Sequence, residues 1–115
     1  MSEPSPAATG QSSTNLPARN AAVLRCIAAR DRSLEDSRVR NVGKSEALDR
    51  SQQAYRDALP DLAGYENIRD FVACISHGLL TGDISPINSP TYLYAAQVAI
   101  SALRLEPKEK KQTAA

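Results

Sequence analysis

The stretch from Pro90 to Arg104 is apolar on nearly every side of a helix, with Tyr92, Leu93, Val98, Ile100 and Leu103 set among alanines. It opens on Ser89-Pro90, an N-cap residue followed by a proline at the first helical position. A helix apolar all round has no face for water, so this one is expected to lie centrally, covered by its neighbours. Upstream, Ile68, Phe71, Val72, Ile75 and Leu79 recur at helical intervals and predict a helix over 66–80, closed by Gly82. Phe71 is the single phenylalanine and is expected to anchor the core. Cys74, Gly78 and Gly82 make a row of small residues, and Ala95, Ala99 and Ala102 make a matching one. Small rows let two backbones approach, so these third and fourth helices are expected to form an antiparallel hairpin at the centre.

Two further helices precede them. One over 18–37 places Val23, Leu24, Ile27 and Leu34 on or near one side, before a turn at Asn41-Val42-Gly43. The next, over 44–59, takes Ser45 as N-cap and puts Glu46 and Asp49 at the positive end of its dipole. Its apolar face is thin (Leu48, Tyr55, Leu59), which predicts a peripheral position, and Pro60 stops it. Residues 83–89 form a connector, and no strand alternation or internal repeat is present. The expected fold class is all-α, a small four-helix bundle in a single helical domain over 16–105. Residues 1–15 carry no bulky apolar side chain, and 106–115 are dominated by charge after Pro107. Both are expected to be disordered tails.

The chain's 115 residues and 12.4 kDa fit one domain. Fourteen basic residues against 13 acidic ones give a net charge of +1, too neutral for a histone-like binder of nucleic acid. The basic bias is local: residues 16–43 hold six arginines against three acids. Arg19, Arg30 and Arg38 are therefore the candidate phosphate contacts, weakened by the interleaved acids. The fourth helix offers mainly Gln97 and Ser101 among apolar residues, which excludes it as a groove-reading helix. No apolar run approaches the roughly 18 residues of a membrane span. The N-terminus lacks the basic-then-apolar pattern of a signal peptide, so a cytoplasmic protein with reduced thiols is expected.

Three segments carry a resemblance. Ala54-Tyr55-Arg56-Asp57-Ala58-Leu59-Pro60 reads as AYRxAxP, Asp70-Phe71-Val72-Ala73-Cys74 as DFxAC, and Leu93 to Ala99 as LYAAQVA. In that order they resemble a group of small hypothetical bacterial proteins, over roughly residues 54–100. The resemblance implies a recurring domain and supplies no catalytic residue.

Candidate chemistry is sparse. Cys26 and Cys74 sit among apolar helix neighbours, as small buried thiols do, and a disulfide between them is the minor alternative. Cys74 and His77, three apart on one helix, could share a metal, but a zinc site needs four ligands and the chain holds no second histidine. The same pair could be a nucleophile dyad, though a helix interior is a poor place for attack on a substrate. Asp57, Asp61, Glu66 and Asp70 read as helix caps and solvated faces, and no glycine-rich phosphate loop is present. No catalytic residue, metal or cofactor is therefore expected. The expected role is a non-enzymatic protein-interaction module, possible as a homodimer, with Tyr92, Tyr94, Gln97 and Val98 as the partner surface. The alternatives are a nucleic-acid-associated regulator using the arginine-rich first helix and, less favoured, a Cys/His metal or thiol site.

Overall fold

The computed structural model describes residues 19–114, with side chains over 19–105. Four helices follow one another: α1 (Ala21–Val39), α2 (Lys44–Asp57), α3 (Tyr65–Thr81) and α4 (Ser89–Ala114). No strand occurs among the described residues, and no helix there is long and apolar enough to cross a membrane. The expected 1–15 tail lies outside the described residues. So do the side chains of 106–115, where the α4 backbone runs on past the expected end at Arg104.

Local chemistry sets the boundaries. Asn20 caps α1, its Oδ1 accepting from the amides of Ala22 at 2.8 Å and Val23 at 3.2 Å. This is why α1 begins at Ala21 and not at Ala18. It ends in a Schellman turn: Val42 N donates to Ser37 O at 2.9 Å and Asn41 N to Arg38 O at 3.2 Å. Asn41 takes the left-handed conformation (φ 58°) that such a turn requires and asparagine tolerates. The expected cap of α2 is displaced. Gly43 stands there without a side-chain bond, and Ser45 lies inside the helix. Ser89 is displaced too, since its hydroxyl donates back to Pro86 O at 3.2 Å.

The short 40–43 turn folds α2 back along α1, and this pair is the most extensive helix contact. Ser37 and Ser51 are buried in it, small enough for close backbone approach. α3 packs against α1 on one side and α4 on the other. Phe71 joins α3 to α4, its ring 6.2 Å from that of Tyr92, and Ala96 is buried beside them.

Three expectations change. α2 is not peripheral, because Tyr55 and Ser51 are buried and Tyr55 lies at the centre of the core. The small row at Cys74 and Gly78 faces Tyr55, Ile84 and Cys26 instead of α4, and Gly82 ends α3 in the left-handed region. α4 is not enclosed, for Tyr94 is 68% exposed and Val98 51%. Only one face of it meets α3, and among the described residues no other helix packs extensively on the opposite face.

Candidate functional site

Cys26 on α1 and Cys74 on α3 are fully buried in the same core cluster. Tyr55, reaching in from α2, donates its hydroxyl to Cys74 O at 2.7 Å. One turn beyond Cys74, Gly78 leaves the space that Ile84 and Tyr55 fill. A Cβ at 78 would overlap Ile84 Cγ1 and stand 3.0 Å from Tyr55 Cε1. Ile84 is steered there by its own amide, which donates to Gly78 O at 3.0 Å. Three helices and the 82–88 connector thus meet at one point, with two thiols and a phenol inside it.

Protonation there follows from burial and contact. The hydrogen bond with Cys26, then burial, push the Cys74 thiol far above its ordinary range. The same hydrogen bond, aided by the Arg25 cation, lowers Cys26 against the cost of burial. Burial first, and then the thiols, push the Tyr55 phenol far up, so it remains a donor.

An ion pair closes the edge of this cluster. Asp83 is buried, and its Oδ2 accepts from Arg30 Nη1 at 3.0 Å and from Thr81 Oγ1 at 2.7 Å. Burial works against the Arg30 charge, but hydrogen bonds to Asp83 and Asp31 outweigh it and raise its pKa. Sequence reading had no signal for this pair, because nothing local links residues 30 and 83.

The candidate residues fall as follows. Cys74 turns to Cys26, while His77 turns to Arg19, whose Nη1 donates to Nδ1 at 3.4 Å. No three His, Cys, Asp or Glu side chains among the described residues converge as a metal would need. Arg38 is paired with Glu35, and Arg30 with Asp31 and Asp83. Of the expected surface carboxylates, Asp57 accepts from Gln53 at 2.7 Å and Glu66 pairs with Arg69 at 3.7 Å. Asp70 accepts from Asn20 at 2.8 Å, and that bond, followed by Arg69, lowers its pKa.

The exposed surface of α4 is the second candidate. At about 100° per residue, Leu93, Tyr94, Gln97, Val98, Ser101 and Leu105 fall within one arc of roughly 140°. All six are exposed. Tyr92, Ala96, Ala99, Ile100 and Leu103 occupy the opposite face, buried or half-buried on the core. Tyr92 thus leaves the expected partner surface and packs on Phe71, while Leu93 joins it. Gln97 is exposed on this arc, with no core contact to satisfy its amide. Beside this arc, open grooves of ≈ 490 Å³ (Tyr65, Glu66, Ile68, Arg69, Ile100) and ≈ 370 Å³ separate α4 from the start of α3. Comparison with protein-family models, curated proteins and solved structures finds no match.

Proposed function

We propose that the chain is a non-enzymatic protein-interaction module that self-associates through the exposed arc of α4, in the cytoplasm, where its thiols stay reduced. The observation that carries this is the second apolar face of α4. Leu93, Tyr94, Val98 and Leu105 stand 39–68% exposed on one side of a helix that has already buried its other side. No charged residue interrupts the run from Ser89 to Leu103. Apolar surface of this kind gains about 25 cal/mol for each Å² removed from water. A contiguous patch of it on a monomer marks an association site. Tyr94 suits an anchor, with a large flat area and a hydroxyl that can stay at the wet rim. Gln97 sits mid-arc, where a paired amide would set the register between two copies.

The arginines weigh against a nucleic-acid reading. Arg30 and Arg38 spend their guanidinium groups on Asp83, Asp31 and Glu35. A phosphate would have to displace those carboxylates.

Light scattering over a concentration series tests the reading. The wild type is expected to run as a dimer at micromolar concentration, and Val98→Glu and Tyr94→Glu to run as monomers with unchanged helical circular dichroism. A wild type that stays monomeric at the highest concentration overturns it.

A further inference from the structure

Thr91, Tyr94, Val98, Ser101 and Leu105 follow one another along α4 at alternating steps of three and four residues, and all five are exposed. A stripe with that spacing stays in contact with a second helix crossing it at a shallow angle. It runs along the side of α4 opposite Ala96 and Leu103, which pack on the core. Building on the self-association proposed above, we propose that two copies pair through α4 in antiparallel orientation. Tyr94 then meets Leu105 of the partner subunit, Val98 meets Ser101 of the partner subunit, and Gln97 bonds to the partner subunit's Arg104.

Side-chain size sets the direction. A parallel pair in register would place Tyr94 against its own copy in one layer and Ser101 against its own copy in another. A crowded layer and a void would then lie two turns apart, and both are destabilising. Running antiparallel, each larger side chain meets a smaller one, and the two-fold axis repeats both contacts. Ser101 suits such a place, because its hydroxyl donates to Gln97 O at 3.1 Å within its own helix. An apolar neighbour can cover it without leaving that donor unpaired.

The flanks of the stripe agree. Ala95 and Ala102 border it on one side, one heptad apart, and their small side chains let two backbones approach there. Gln97 and Arg104 border it on the other side, again one heptad apart, and both are exposed. In an antiparallel pair each flank faces its own counterpart. Gln97 therefore lies within reach of the partner subunit's Arg104, whose guanidinium donates to the amide oxygen. In a parallel pair each flank faces the opposite one, and Gln97 would meet the partner subunit's Ala102, which offers no bond.

The test measures the dimer dissociation constant of the full chain at low salt, by sedimentation over a concentration series. Gln97→Glu places a carboxylate opposite the partner subunit's Arg104 at both ends of the pair, and is expected to tighten the dimer about three- to tenfold. Gln97→Arg should loosen it by a similar factor, and Arg104→Ala should abolish both effects. Direction is read independently by mild oxidative crosslinking. A mixture of Tyr94→Cys and Leu105→Cys chains should give the mixed disulfide, while Tyr94→Cys alone should give none. The wild type serves as the blank, since its own thiols are fully buried. A dimer whose constant ignores Gln97→Glu, or in which Tyr94→Cys chains join one another, overturns the antiparallel arrangement and leaves self-association standing. A monomeric wild type overturns both. The Gln97 series keeps the stripe intact, so its reading stands even if Tyr94→Cys weakens the pair.

Discussion

At position 78 one methyl group separates two opposed effects. Alanine in a helix interior is better than glycine by about 1 kcal/mol. Here, however, the added Cβ would overlap Ile84 Cγ1 and press on the Tyr55 ring, and both neighbours are fully buried. Overpacking of that kind costs about 1–3 kcal/mol, so the clash wins. Gly78→Ala is expected to lower the urea midpoint by an amount equivalent to up to about 2 kcal/mol. Gly43→Ala, with φ −61° and nothing within 4 Å of the new Cβ, should stay within about 0.5 kcal/mol of wild type. Equal effects at the two positions would contradict this account of the core. Tyr55 shows the same point in reverse. In sequence it is one apolar residue on a polar helix, and only its hydrogen bond to Cys74 O makes it central.

Helix ends were legible where the signal is local. The Asn-Val-Gly turn after α1, Gly82 after α3 and the stop of α2 before Pro60 follow from backbone preferences that any chain would show. The misplaced N-caps of α2 and α4 are equally instructive. Ser45 and Ser89 have the right side chain, but the turn at Gly43 and the connector at Pro86 set where each helix begins. Asn20 is the cap with a second duty, since its Nδ2 also donates to Asp70 at 2.8 Å on α3. Asn20→Ala is expected to cost about 1–2 kcal/mol in thermal or chemical unfolding. Asp70→Ala should then cost less in the Asn20→Ala background than in the wild type. Strictly additive costs would mean that the cap does not couple α1 to α3.

For the molecule as a whole, stability should depend on pH through His77, which lies near the end of α3 beside Arg19. Burial first, then the cations of Arg19 and Arg30, hold its pKa below the ordinary value, with the Asp83 carboxylate acting the other way. The unfolded chain therefore binds that proton at a higher pH than the folded one. The stabilising contribution is complete above the unfolded pKa of about 6.5 and is lost as pH falls from there through the folded pKa. The urea midpoint should be lower at pH 5.5 than at pH 7.5, and His77→Gln should flatten that slope. Asp70 and Glu35, both with lowered pKa values, add a separate loss of the same sign below about pH 4. A slope unchanged in His77→Gln would assign the loss to other groups.

Helix content, order and turns could be read from residue order, because apolar spacing, glycine, proline and capping side chains act within a few positions of themselves. Two things could not. A helix apolar on every side carries no mark of which side turns inward, so the burial of Tyr92 and the exposure of Leu93 and Val98 were set by where α3 lies. Nor does any local pattern bring Cys26 to Cys74, or Arg30 to Asp83. Those meetings depend on how the helices stack, a matter of side-chain volume across gaps of some fifty residues that no short window contains.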